Sequence, residues 1–323
     1  MRFFYAMCVM VVASVYAENS FVLVVNNGTV KDGSFFESAY RGAERFKQET
    51  GNDYAIVLNP KGEPSFDELP GMIEKAAKKA KRIMLVGFEW WILHNQYAWS
   101  SLFPDHEFVL IDYAQEAKNV RNILFQEQEG SYLVGVLAAL QSKTKQVGFV
   151  GGMPIPIIFT FLRGYEMGVK SVDKNMNVLS MFVGNTPNAW NDPQKAKQIA
   201  ETMIQSGTDV IFAAAGASSL GVHQACAERA TTYSIGVDIN QNGLFPGSVL
   251  TSMLKRVDRV VYDEAKRTQF KSGVYFMGVK KGYVGWAIDE NNQDMIVPSM
   301  YERVFNAQQD IKNGSVKVMR STK

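Results

Sequence analysis

Cysteine and histidine are scarce in this chain. Among 323 residues there are two cysteines, Cys8 and Cys226, and three histidines, His94, His106 and His223. Only Cys226 lies beyond residue 17, which excludes an internal disulfide in residues 18–323. The histidines are far apart and form no HExxH, so the spacing of a zinc site is missing. There is no GxSxG elbow and no Walker loop, and Gly151-Gly152 lacks the full dinucleotide spacing. No metal, no cofactor and no catalytic residue is therefore expected. Charge of one sign is also missing: 34 Lys and Arg against 32 Asp and Glu leave a net charge of +2, without a long basic or acidic run. That balance argues against nucleic acid and anionic surfaces as partners. After residue 17 no apolar run is long enough to cross a bilayer.

What is present begins with an export signal. Arg2 precedes an apolar core over residues 3–15, and Val15-Tyr16-Ala17 offers small residues for cleavage after Ala17. Polar Glu18-Asn19-Ser20 ends the run, which disfavours an anchored helix. Cys8 follows Tyr5-Ala6-Met7, a poor lipobox, so a free periplasmic or extracytoplasmic protein is preferred over a lipoprotein.

Beyond the leader, short apolar runs alternate with amphipathic stretches. Runs at 21–25, 54–58, 82–87, 107–112 and 120–125 are interleaved with helical patterns at 34–49, 66–79 and 90–102, and a helix follows at 127–142. The pattern restarts at 147–150 and continues through runs at 178–183, 209–213, 233–238 and 248–253. The last helices are predicted at 255–269 and 299–313. Such alternation predicts parallel sheets wrapped by helices, here as two doubly wound α/β domains. No Pro/Gly/Ser linker separates them; the joint near Phe125–Glu129 is a strand running straight into a helix, so a tight hinge is expected.

Three features point to a ligand cleft. Residues 147–168, VGFVGGMPIPIIFTFLRGYEMG, read as a strand, a glycine turn and a helix, the geometry at which open α/β sheets hold ligands. Amides or acids close three strands: Asn27, Asp112 and Asp238. A carboxylate there can accept two hydroxyls of a sugar diol, although each acid taken alone also suits a cap or turn. Aromatics follow the strands. Trp190, among polar loop residues, is the best candidate for stacking on a planar ligand, whereas Phe36, Phe159 and Trp91 read as core. The small-residue segment 213–221, AAAGASSLG, would let backbone N–H groups approach a ligand.

The segments EQEGSYLVGVLAAL, VGFVGGMPIPIIFTFLRGYEMGVKSV, NDPQKAK, GVDINQ and VLTSMLKRVD occur in this order over most of residues 18–323. Together they resemble the basic membrane protein family, whose best-described member type is the purine nucleoside receptor of an ABC importer. The resemblance implies a type I periplasmic-binding fold with the ligand between two lobes that close about a hinge near Phe125 and Met253. It implies an N-terminal lobe of 18–125 plus about 254–290, and a C-terminal lobe of 126–253 plus about 291–323. It places Phe35, in Asp32-Gly33-Ser34-Phe35, and Trp190 as rings facing the base, and Phe161 as a further pocket aromatic. Asp112 would contact the base; Asp238 and Lys255 would hold the ribose, with Gly216 nearby. Asn27 and Asp32 complete the expected ligand-binding set. Three departures stand out: Asn27 replaces the family's usual acid, Pro154 replaces the usual acid after Gly-Gly-Met, and the lipid-attachment cysteine lacks its expected form.

The expected function is delivery of nucleosides, purine nucleosides first, to ABC permease subunits in the inner membrane, by a monomer. A flavin or a sugar in the same fold is the alternative. A nucleoside hydrolase using Asp112 and Asp238 as paired carboxylates is the remote one.

Overall fold

A computed structural model describes residues 19–61, 67–87, 93–94 and 97–320. The export signal, Cys8, Trp91 and part of the helix predicted over 90–102 lie outside the described residues.

The chain builds one sheet, crosses, and builds a second. The first part supplies β1 (Val22–Val25), α1 (Phe35–Thr50), β2 (Ala55–Leu58), α2 (Leu69–Ala77), β3 (Arg82–Val86), α3 (Trp99–Leu102), β4 (Glu107–Ile111) and β5 (Val120–Phe125). The second part supplies α4 (Glu127–Gln141), β6 (Gln146–Gly151), α5 (Pro156–Val172), β7 (Asn177–Phe182), α6 (Pro193–Gln205), β8 (Val210–Ala214), α7 (Ser219–Ala227), β9 (Tyr233–Asp238) and β10 (Val249–Lys255). The remainder is α8 (Val257–Ala265), β11 (Gly273–Met277), β12 (Val284–Trp286) and α9 (Pro298–Asn313).

The two sheets share one plan. Their strand orders are β11-β5-β4-β3-β1-β2 and β12-β10-β9-β8-β6-β7. All pairings are parallel except β10 with β12, which is antiparallel. Central parallel strands covered by helices on both faces, such as β1 and β8, bury every side chain, which explains their unbroken apolar runs. Val22, Leu23, Val24 and Val25 of β1 are all fully buried. The plan also makes β4 and β9 equivalent, so Asp112 and Asp238 occupy matching strand ends.

Among the described residues three chain crossings join the lobes. The first two fall between β5 and α4 and between β10 and α8, beside the expected hinge residues. The third follows β11, because β11 pairs with β5 whereas β12 pairs with β10. The tail is thus back on the second sheet by Val284, ahead of the boundary expected near 290. Neither β11 nor β12 stands out in the sequence. In β11 only Met277 is buried, and β12 has three residues, so neither carries a run. Hydrogen bonds brace the crossings: Gln126 N–H to the Met277 carbonyl at 2.9 Å and Arg256 N–H to the Tyr283 carbonyl at 2.8 Å.

Candidate functional site

Strand ends and helix starts from both sheets surround one cavity of about 780 Å³, within the roughly 300–1,000 Å³ usual for small-molecule sites. All nine residues expected to bind ligand line it. Asn27, Asp32, Phe35 and Asp112 come from the first lobe, and Phe161, Trp190, Gly216, Asp238 and Lys255 from the second side.

The floor is charged. Lys255 ends β10 and is 2% exposed. Its Nζ lies 2.7 Å from Asp112 and 3.3 Å from Glu127, whose second oxygen faces Arg320 at 3.6 Å. Burial alone would push the lysine towards its neutral form, but Asp112, Glu127 and Asp238 outweigh it and hold the pKa above its ordinary value. For Glu127 burial dominates instead, raising its pKa against the pull of Lys255. Rings surround the same ammonium, with Phe35, Phe125 and Phe161 centroids at 4.9, 5.1 and 5.8 Å.

Asp112 and Asp238 adopt the left-handed backbone region, with φ of 83° and 66°. Asp tolerates this region better than most residues, and it turns both acids sharply off their strand ends. Asp238 is buried and accepts a hydrogen bond from the Ser34 hydroxyl of the first lobe. Burial raises its pKa from the ordinary 3.8 to about 6, against the opposing pull of Lys255 and Ser34. The native state therefore holds this proton more tightly than the unfolded chain does. The associated stability is present below about pH 4 and is lost as pH rises through about 6.

Asp32 works on its own helix. One oxygen accepts the Ser34 and Glu37 N–H groups at 3.0 and 2.9 Å, and the other accepts Phe36 N–H at 3.1 Å. It caps α1 and so fixes the loop that carries Phe35. Asn27 is half-buried, and its side-chain oxygen accepts Gly28 N–H at 2.8 Å.

Trp190 sits at the end of a 3-10 turn, Pro187–Trp190. Ser218 clasps this turn, donating to the Ala189 carbonyl at 2.8 Å and accepting Asp192 N–H at 2.7 Å. Asp192 then caps α6 through Lys195 N–H. The indole rests against Gly152, where a Cβ would lie 2.2 Å from a ring carbon. Gly216 backs the same residue, since a Cβ there would stand 3.3 Å from the Trp190 carbonyl oxygen. The glycine turn expected to admit a ligand thus admits Trp190. Neither Gly151 nor Gly152 lines the cavity.

Phe161 is 3% exposed; it reaches the cavity while also joining the interior cluster through Phe212 at 6.3 Å. Phe159, read as core, is half-buried and packs edge-on to Phe182 at 5.5 Å at the margin of the core. Phe36 differs from its core reading: it is half-buried and lines the cavity beside Phe35, 5.5 Å away. The sequence reading also gave no role to Glu127, Ser34 or Gln241. Gln241 stands in the quoted GVDINQ, but its burial depends on tertiary contacts that no periodicity reports. Among the described residues no helix is long and apolar enough to cross a membrane, and no group of three or more metal-ligating side chains occurs.

Comparisons with known proteins agree with this architecture. A family model described as ABC transporter substrate-binding protein PnrA-like matches residues 20–322. Basic membrane protein D of Borreliella burgdorferi is 30% identical over 315 residues, covering 94% of this chain and 88% of that protein. A CD4+ T-cell-stimulating antigen of Listeria innocua is 31% identical, covering 92% and 87%. Among solved structures, an ABC transporter solute-binding protein from Aeropyrum pernix superposes with a TM-score of 0.81 at 25% identity, covering 94% of each chain. The two parallel α/β lobes are those of a type I periplasmic-binding fold, and the chain belongs to the Bmp family of PnrA-like ABC transporter substrate-binding proteins.

Proposed function

We propose that this protein binds nucleosides, purine nucleosides first, outside the cytoplasm and hands them to the permease of an ABC importer. The observation that carries the reading is the convergence of Phe35 from one lobe, Trp190 from the other and the buried carboxylate of Asp238 on one cavity. A nucleoside has a planar base for the two rings and a vicinal diol for the acid. Asp238 accepts the diol hydroxyls. Lys255 has three N–H donors, of which Asp112 and Glu127 engage two, and the third serves a ribose oxygen. Asp112 meets donors on the base edge. Asn27, which can both donate and accept, sets the preference among bases. Phe161 and Gly216 complete the wall, and Asp32 holds the loop of Phe35. Export by residues 1–17 and action as a monomer belong to the same proposal.

Mass spectrometry of the protein purified under native conditions tests the ligand class. A carried mass matching a purine nucleoside is expected; a flavin or hexose mass would overturn the assignment.

The acid makes binding pH-dependent. Ionised Asp238 accepts both hydroxyls, whereas the protonated form loses that capacity. Guanosine affinity is expected to rise as pH passes through about 6. Asp238→Asn lowers the affinity and flattens the profile. Calorimetric titrations across that range check this, and a flat wild-type profile would contradict the role given to Asp238.

A further inference from the structure

One contact across the cleft uses neither of the strand-end acids nor Lys255. Gln241, 5% exposed, follows β9 in the second lobe and lines the cavity. Its Oε1 accepts the Val237 backbone N–H at 2.9 Å. A backbone N–H can only donate, so this contact fixes which end of the amide is oxygen. The Nε2 group then faces the first lobe and donates to the Gly33 carbonyl at 2.8 Å. His223 stands behind, fully buried, with Nε2 3.2 Å from the same Oε1 and Nδ1 2.9 Å from the Ser234 hydroxyl. Since Oε1 only accepts, His223 carries its proton on Nε2, and Nδ1 accepts from Ser234. Burial lowers the His223 pKa to about 4, which keeps the ring in this neutral form at neutral pH. Room for the amide is built in: a Cβ at Gly236 would lie 2.6 Å from Gln241 Oε1.

We propose that Gln241 is the latch of the closed cleft, joining the second lobe to the Asp32–Phe35 loop through Gly33, with His223 as the positioning residue that orients its amide. The bond joins a side-chain amide to a backbone carbonyl, neither of them among the groups assigned above to ribose or base, unlike the Ser34–Asp238 contact. Its partner lies two residues before Phe35. Closing the latch therefore sets the stacking loop as well as the lobe angle. The effect on affinity rests on the nucleoside reading; the effect on lobe closure does not.

Gln241→Glu tests the latch selectively. A carboxylate still accepts from Val237 and His223 but offers no donor to Gly33. Gln241→Leu removes all three bonds and serves as the coarser variant. Small-angle scattering on ligand-free protein is expected to give a larger radius of gyration for Gln241→Glu than for wild type. Stopped-flow dissociation of guanosine is expected to be about fivefold faster, the value of one hydrogen bond. Combining Gln241→Glu with Phe35→Ala should give less than the product of the separate effects, because the latch acts through that loop. A merely structural role would lower the melting temperature and leave scattering, dissociation rate and coupling unchanged, and would overturn the proposal. If wild type binds no nucleoside, the nucleoside reading fails, and the scattering comparison still decides the latch.

Discussion

Lys255→Met is expected to abolish nucleoside binding and to lower stability by about 3–5 kcal/mol, the cost of removing one partner from a buried ion cluster. The lysine is 2% exposed, and Asp112 and Glu127 both lean on it. Methionine fills the space but leaves the Asp112 and Glu127 carboxylates without the cation that offsets their mutual repulsion. A companion variant separates the two losses. Adding Asp112→Asn and Glu127→Gln to Lys255→Met removes the stranded charges, so stability should recover while binding does not. Chemical denaturation and calorimetry on the same samples check this. Full binding by Lys255→Met, or failure of the triple variant to regain stability, would contradict the account of the floor.

Trp190→Ala is expected to weaken a purine nucleoside by about 1–3 kcal/mol, the usual worth of one base–aromatic stack. Gly152→Ala should reproduce much of that loss without touching a ligand-facing residue. Its new Cβ would sit 2.2 Å from the indole, so the ring must leave its seat. Overpacking adds a stability cost of about 1–3 kcal/mol to Gly152→Ala. A simple sugar, lacking a planar face, should be less affected by either change. Titration of both variants with guanosine checks the pair. Unchanged affinity in Gly152→Ala together with a large loss in Trp190→Ala would mean that the indole keeps its working position despite the methyl group.

Much of this architecture is legible in the chain, and the parts that are not have common causes. Strands buried on both faces read as unbroken apolar runs, which is why β1, β4, β6 and β9 are found from sequence. Edge strand β11 offers no such run, because four of its five residues keep partial or full exposure. The strand-end acids Asp112 and Asp238 are visible because an Asp closing an apolar run is a local pattern. Trp190 is visible because it stands among polar neighbours. Lys255 acquires a role only through the family resemblance, since a lysine ending a strand is usually a solvated one. Glu127 and Gln241 are invisible to local reading: their significance lies in burial against residues more than one hundred positions away, such as Lys255 and Gly33. The glycine turn at 151–152 shows the opposite limit. Its need for close approach is legible, but the neighbour that approaches is Trp190, which only the fold can identify.

The equivalence of β4 and β9 gives the site its logic. One fold plan, used twice, puts an acid at the same strand end in each lobe, and both acids act on one ammonium. Phe35 and Trp190 are supplied differently, one from a capped helix start and one from a 3-10 turn clasped by Ser218. The two lobes therefore contribute charge alike and aromatic surface by separate routes.

The most direct test of the central claim is isothermal titration of ligand-free wild-type protein with guanosine, inosine, adenosine, uridine, riboflavin and glucose in parallel. Saturable one-to-one binding of purine nucleosides, tighter than that of any other compound in the set, is the predicted result; no binding by any nucleoside would contradict it.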